Sequence, residues 1–371
     1  MSFTMHQLGL KDTLDKVAGV IPAKSAIPAL DCVRLKIEDG KARITATDLN
    51  TWLLAMVGCN SNGTKAELLI PGRKLQEVVS LLPSEEISFE IRDDKIGLHC
   101  KNIKHNISTI PAGNYPAEQC LYKRDEKDGN YLSLPRDGLQ AGLEAISFAS
   151  SKEEGSIISG ISFHIGKDKL KLATTDGHRL ASYSIPIESK IEKKLVVPAS
   201  VARHISKMDG DEIRMYFDGN LAGFYSTNLG LTSCLLEGEF PPYEKIIPTD
   251  NDKKLTANRK ELINAIRQIQ VFAKDNHEIV EVNASEKDGL ILYAKGEGFD
   301  SQAKVECQYK GSDIRTGISA KYLLQNLQST LAEEIEWSFK TPLSAMMLKT
   351  VPCENKDNFY LIMPVQLQEN E

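Results

Sequence analysis

Apolar and polar residues alternate with period two through the middle of the chain. Ile161, Phe163 and Ile165 lead to a Gly166-Lys167-Asp168 turn. Leu170, Leu172 and Thr174 follow, then Asp176-Gly177, then Leu180, Tyr183 and Ile185. Alternation broken by turn residues predicts strand, turn, strand, turn, strand. Asp-Gly supplies the positive φ that a tight hairpin needs. Taken alone, the stretch predicts a β-meander and nothing more. The same unit recurs, however. Leu35 to Met56 reads strand, Glu38-Asp39-Gly40 turn, strand, Thr47-Asp48, strand. Glu281 to Glu306 reads strand, Lys287-Asp288-Gly289 turn, strand, Gly296-Glu297-Gly298, strand. Asp48, Asp176 and Glu297 hold equivalent places, 128 and 121 residues apart, so the chain contains three copies of one unit.

Helical spacing repeats at the same interval. Leu10, Leu14, Val17 and Ile21 form one apolar stripe and predict a helix from near Gln7, ended by Pro22. Leu139, Leu143 and Ile146 repeat the stripe behind Pro135, a favoured first-turn residue, and Leu262, Ile266, Ile269 and Ala273 repeat it again. A second helix is predicted in each copy. Pro71-Gly72-Arg73-Lys74 leads into Leu75, Val78, Val79 and Leu82. Pro198-Ala199-Ser200 leads into Val201, Ile205 and Met208. Ser319-Ala320-Lys321 leads into Leu323, Leu327 and Leu331. Further alternating strands follow, as at Ile87-Phe89-Ile91 and Ile213-Met215-Phe217. Polar clusters at Lys123 to Asn130 and Pro248 to Lys254 place the boundaries. The expected organisation is three tandem α+β domains, 1–122, 123–249 and 250–371, each with two helices and many short strands.

Composition narrows the functional classes. The seven cysteines are scattered, without C-x-x-C, which argues against a disulfide framework or zinc site and for a reducing compartment. The first residues carry charge and show no signal-peptide core. The longest apolar run, Trp52 to Val57, is far too short to span a bilayer. A cytoplasmic protein without membrane contact is expected.

Net charge is −6, which at face value disfavours a nucleic-acid partner, but its distribution reverses that reading. The six predicted helices carry twelve basic residues: Lys11, Lys16, Arg73, Lys74, Arg136, Arg203, Lys207, Arg259, Lys260, Arg267, Lys274 and Lys321. Against them stand six acidic ones: Asp12, Asp15, Glu77, Asp137, Glu144 and Glu261. The helices thus hold +6 and the remainder about −12. Lysine-rich helices also serve solubility. The functional alternative is one face turned to a polyanion while the rest repels it. No helix-turn-helix, zinc finger or aromatic stacking run accompanies the basic residues, so sequence-independent phosphate attraction fits best.

No catalytic site assembles. Asp176 and His178 lie two apart on a hairpin without a serine or cysteine nucleophile motif. Gly160 to Lys167 lacks phosphate-loop spacing, and Asp168 stands where Ser or Thr is required. No metal-binding motif and no cofactor motif occurs. A hydrolase using His178 and a sequence-specific, non-ring DNA-binding regulator remain the competing readings. The first predicts turnover lost in His178→Ala; the second predicts strong preference for one DNA site.

Six motifs in register carry a family resemblance. They are IPAKSAIPAL (21–30), ITATDL (44–49), STIPAGNYP (108–116), ATTDGHRLA (173–181), EGEFPPYEKIIP (237–248) and LIMPVQL (361–367). Over its whole length the chain resembles the bacterial DNA polymerase III sliding clamp, the β subunit. The resemblance implies three alike domains with their helices lining a hole and antiparallel sheets outside. Two chains would close head-to-tail into a six-domain ring around double-stranded DNA. Size agrees: domains of this length are roughly 36 Å across, and a ring of six leaves a hole of about that width. Three would leave about 5 Å, too narrow for a duplex roughly 20 Å wide.

The resemblance further implies a hydrophobic groove for peptides of polymerases, including the DNA polymerase III alpha subunit, and of the clamp loader. Carried over motif by motif, it comprises Ile158, Thr175, Gly177, His178, Arg179, Leu180, Phe240, Pro241, Lys245, Ile246, Leu361, Ile362, Met363, Pro364, Val365 and Leu367. Leu180, Pro241, Ile246, Ile362, Met363 and Pro364 would form its apolar trough. Lys24 and Arg73 fall on DNA-contact positions. Ser156 and Ile157 replace paired tyrosines, and Ala199 and Ser200 replace a basic pair, which moves the expected DNA contacts toward Arg203 and Lys207. Ile107 and Phe272 fall at the subunit interface, with His105 and Ala273 as departures beside them. No cofactor or metal is implied.

Overall fold

The structure, a computed structural model, describes every residue except 62, 122–130, 154, 274–277, 297, 354 and 368–371. The polar cluster at 123–130, Lys274 and Glu297 therefore lie outside the described residues.

The repeats are explicit in the order of elements. The first runs β1 (Ser2–His6), α1 (Gln7–Val17), β2 (Cys32–Glu38), β3 (Lys41–Thr47), β4 (Thr51–Gly58), β5 (Ala66–Pro71), α2 (Gly72–Leu81), β6 (Glu86–Ile91), β7 (Lys95–Cys100) and β8 (Ile103–Ser108), then a short β9 (Ile110–Pro111). The second runs β10 (Tyr131–Pro135), α3 (Arg136–Ile146), β11 (Gly160–Ile165), β12 (Lys169–Thr175), β13 (Arg179–Pro186), β14 (Lys193–Pro198), α4 (Ala202–Ile205), β15 (Glu212–Asp218), β16 (Leu221–Tyr225) and β17 (Leu229–Cys234). The third runs β18 (Lys253–Asn258), α5 (Arg259–Gln270), β19 (Ile279–Ser285), β20 (Gly289–Gly296), β21 (Phe299–Val305), an extra β22 (Cys307–Lys310), β23 (Ile314–Ser319), α6 (Ala320–Gln328), β24 (Glu334–Phe339), β25 (Met346–Val351) and β26 (Phe359–Ile362). This is the three-domain α+β clamp fold, antiparallel in every named strand pair, with two helices per repeat among the described residues.

Local chemistry starts the helices where the sequence signals them. Asn258 caps α5 by accepting from the Lys260 and Glu261 amides, and Ser319 caps α6 by accepting from Tyr322. Three expectations need correction. The α-helical part of the first helix stops at Val17, and a 3-10 turn, Ala18–Val20, carries the chain to the buried Ile21. The second helix of the middle repeat is a 3-10 turn, Ala199–Val201, followed by only the four residues of α4. Its apolar positions span barely two turns before the Asp209-Gly210 turn, where Gly210 sits at φ 90°. Leu331 does not continue the α6 stripe. The Ser329 amide closes that helix onto the carbonyls of Gln325 and Asn326, leaving Leu331 93% exposed.

The chain forms two compact units, Met1–Gln140 with Ser200–Leu235, and Ala141–Ala199 with Leu236–Glu371. Each is built round one nine-stranded sheet that joins strands of two repeats. In the first unit the order is β10-β15-β16-β17-β4-β3-β2-β5-β9; in the second it is β14-β11-β12-β13-β26-β25-β24-β18-β22. The joints are β17 on β4 and β26 on β13, both antiparallel. Each unit also has a four-stranded sheet, β1-β6-β7-β8 in the first and β21-β20-β19-β23 in the second. In the first unit Phe3 stacks on Phe89 at 4.8 Å while Leu10, Leu14 and Val17 of α1 are buried. In the second, Trp337 and Phe339 are buried with ring centroids 4.8 Å apart, and Leu262, Ile266 and Ile269 of α5 are buried as well. Burying one such side chain contributes about 2 kcal/mol, so these stripes fix which helix face turns inward.

Candidate partner groove and basic face

Three separated stretches of the second unit carry the expected groove residues, beginning with the turn between β12 and β13. Gly177 takes φ 88°, a conformation that a side chain would strain. The Asp176 carboxylate accepts from the His178 amide at 3.0 Å and the Arg179 amide at 3.1 Å. Thr175 Oγ1 donates to the Arg179 carbonyl at 2.6 Å and accepts from the Gly177 amide at 3.1 Å. These bonds satisfy the turn from within and aim Leu180 at the sheet face.

β26 then pairs with β13, setting Leu361 opposite Leu180 and Ile362 opposite Arg179, while β25 sets Met347 opposite Leu361. Past the strand, the Met363 amide donates to the His178 carbonyl at 2.9 Å, and the Val365 amide to the Gly317 carbonyl at 2.8 Å. Gly317 is required there, because a Cβ would lie 2.5 Å from the Val365 oxygen. The third stretch is the segment through Phe240 and Pro241 to the 3-10 turn Tyr243–Ile246. Ala173, Leu180, Tyr243, Met347, Phe359 and Leu361 form one buried cluster with Phe240 and Ile247 packed on it. Ile246, 57% exposed, and Met363, 43% exposed, present apolar surface to solvent. Lys245 and His178 are exposed, and the His178 ring stacks on Tyr322 with centroids 6.4 Å apart.

The expected residues do not all line this floor. Ile362 alternates to the face opposite Leu361 and is fully buried. Ile158 lies in the 3-10 turn Ile157–Ser159 packed against β12, and Leu367 rests against Gly317. Pro364 is half-buried between the Met363 and Val365 bonds.

Arg179 is a buried support of the turn rather than an exposed contact. Its guanidinium donates to the Asp176 carboxylate at 2.9 Å, to the Phe148 carbonyl at 2.7 Å and to Gln325 Oε1. It sits over the Tyr322 ring at 4.3 Å and the Phe148 ring at 5.1 Å. Burial pushes the Tyr243 phenol well above its ordinary range, so it remains a neutral part of the floor. Sequence reasoning missed Phe148, Tyr243, Met347, Phe359, Tyr322 and Gln325. Tyr243 was within reach, since it lies inside the EGEFPPYEKIIP motif; the others carry no local signal.

The basic residues Lys24, Arg73, Arg203 and Lys207 all belong to the first unit and are exposed. Arg73, on α2, donates to the Ile21 carbonyl at 2.6 Å, and Lys207 donates to the Asp15 carbonyl at 2.6 Å. Lys207 therefore reaches the last turn of α1, where a cation complements the helix dipole, and Arg73 reaches the residue past the following 3-10 turn. Arg203 lies four residues before Lys207, on the same side of that turn. Between them His204 is buried against Gly19. Burial first, then Arg203 and Lys207, pushes its imidazole down to about 4, and Nδ1 has no partner among the described residues. Of the interface candidates, Ile107 on β8 is 7% exposed and Phe272, just past α5, is 37% exposed. Among the described residues no cluster of His, Cys, Asp or Glu is placed to hold a metal ion. No described helix is long and apolar enough to cross a membrane.

Family models for the N-terminal, central and C-terminal domains of the DNA polymerase III beta subunit match residues 1–119, 133–242 and 244–366. The chain is 24% identical over 375 residues to the beta sliding clamp of Pseudomonas putida, covering 99% of this chain and 100% of that one. It is 24% identical over 373 residues to the beta sliding clamp of Escherichia coli K12, with the same coverage. The fold superposes on the beta subunit from Thermotoga maritima with a TM-score of 0.91 at 24% identity, covering 99% of this chain and 100% of that one. It superposes on the sliding clamp from Bacillus subtilis with a TM-score of 0.91 at 20% identity and the same coverage. Three consecutive matches along nearly the whole chain show that it belongs to the DNA polymerase III beta subunit family, the sliding clamps, and is a non-catalytic accessory subunit.

Proposed function

We propose that two copies of this chain close head-to-tail into a ring around duplex DNA and tether polymerases through the groove. The three domains are 1–122, 123–249 and 250–371. One observation carries the ring. Counting strands within each repeat and leaving out the extra β22, the eighth strand of one repeat pairs with the fourth strand of the repeat before it, at β17 on β4 and at β26 on β13. Two strands of these same types are left as sheet edges, β8 in the first repeat and β21 in the third. Unpaired edges are templates for another strand. The rule used twice within the chain is completed if β8 of one copy pairs with β21 of the next. Such a contact is heterologous, so it must close into a ring or run on as a filament. Ile107 on β8 and Phe272 beside α5 would lie at that joint.

Lys24, Arg73, Arg203 and Lys207 would face the DNA and attract phosphates without reading bases. Retention would then be topological, and a polymerase peptide in the groove would stay at high effective concentration near the template. The groove supports a peptide ligand because its floor is apolar, its rim is polar, and Met363 and Ile246 offer adaptable exposed surface. Opening would fall to a separate clamp loader. The test is molar mass by light scattering across a dilution series. Twice the 41.1 kDa of one chain, persisting on dilution, is the expected result. A persistent monomer or an open-ended series of masses would overturn the ring.

A further inference from the structure

We infer that the sheet face bearing the groove floor continues into a second subsite that takes an acidic segment flanking the groove-bound peptide. The inference rests on the peptide-groove reading and specifies the partner chemistry. Pairing register places three cross-strand rows on this face. Met347, Leu361 and Leu180 form the first, and Phe359, Ser182, Ala173, Ser162 and Val196 form the second. Two residues further along every strand, Ser184, Lys171, His164 and Lys194 form the third. Rows two residues apart are about 7 Å apart, so the third row lies about 14 Å from the first, a span of about four extended residues, with the second row buried between them.

The third row is cationic and only partly neutralised. Lys171 shares Asp357 with Lys169, at 3.6 and 2.7 Å. Among the described residues neither the His164 nor the Lys194 side chain has a hydrogen-bond or ion-pair partner. The carboxylates facing His164 are Glu244, from the 3-10 turn over the floor, and Glu192, which pairs with Lys167 at 3.6 Å. Burial first, then Lys194 and Lys171 across the neighbouring strands, holds the His164 imidazole below its ordinary range despite those carboxylates. Like-charged groups aligned across strands cost stability in the free protein. Another basic cross-strand pair, Lys36 opposite Arg43, is neutralised instead, by Glu38 at 3.1 Å and Glu118 at 3.5 Å. A carboxylate-bearing peptide would supply what the row lacks. Asp357 and Glu244 at its margin disfavour a continuous phosphate backbone, and the row offers no aromatic ring beyond His164 for base stacking.

Anisotropy with labelled peptides tests this. Each peptide carries the same leucine- and phenylalanine-rich core, flanked on either its amino or its carboxyl side by four glutamates or four glutamines. With the glutamates on one of the two sides, binding is expected about five-fold tighter than for its glutamine counterpart at low ionic strength. The preference should vanish at high salt and in Lys194→Gln and His164→Gln, while the glutamine peptides bind all proteins alike. Binding of the glutamate peptide should also raise the His164 pKa followed by NMR. Equal binding of all peptides overturns this inference and leaves the groove standing. Failure of every peptide to bind overturns the groove reading and this inference with it. A poly-dT strand whose binding depends on Lys194 when the glutamate peptide's does not would assign the row to nucleic acid instead.

Discussion

Removing the Arg179 fork should loosen the turn that carries the proposed groove residues. The Arg179 and Asp176 side chains are only 7% and 15% exposed, so the pair is effectively buried. In Arg179→Ala, Asp176 loses its cation, while the Phe148 carbonyl and Gln325 Oε1 lose their donor. Breaking one side of a buried pair costs about 3–5 kcal/mol. Asp176 retains two backbone donors, which places the expected loss near the lower end, about 3 kcal/mol. Arg179→Lys keeps the charge but reaches one acceptor at a time and gives up the planar seat between Tyr322 and Phe148, for a loss of about 1.5–2 kcal/mol. Trp52 belongs to the first unit and Trp337 to the second, so a Trp52→Phe background lets urea unfolding be followed by fluorescence in the second unit alone. Peptide affinity measured on the same proteins should fall in the same order. A Lys variant as stable as the parent, or an Ala variant losing less than about 1 kcal/mol, would refute the claim that the fork supports the turn.

His204 makes the first unit acid-sensitive. Its folded pKa, about 4, lies below the ordinary 6.5, so its contribution is intact above 6.5 and declines as pH falls toward 4. Urea unfolding followed by Trp52 in a Trp337→Phe background should show a loss of about 2 kcal/mol between pH 7.5 and 5 that His204→Leu removes. Phe272→Arg should shift the mass distribution toward monomer without changing unfolding of either unit; an unchanged dimer would exclude Phe272 from the joint. Replacing Lys24 and Arg73 together by Gln should weaken binding to random duplex about equally across sequences and reduce the salt slope by about two. An unchanged slope would take both residues off the DNA.

The sequence alone determined the triplication, the strand pattern, the turns, and the helices apart from the shortened α4 and the helix ends. These follow from local properties: side-chain period, the φ that Gly177 tolerates, and caps such as Asn258 and Ser319. It also placed Leu180, Leu361 and Phe240 near one another, through motif resemblance rather than through periodicity. Tertiary structure decided three matters. The joints β17 on β4 and β26 on β13 tie strands far apart in the chain, and every strand edge offers the same backbone donors and acceptors, so no side-chain pattern names the partner. The pleat then sent Leu361 to the floor and Ile362 to the opposite face, which the motif could not distinguish. Arg179 became an internal strut because Phe148, Tyr322 and Gln325, each unremarkable in its own segment, converge on it only when the second and third repeats share a sheet.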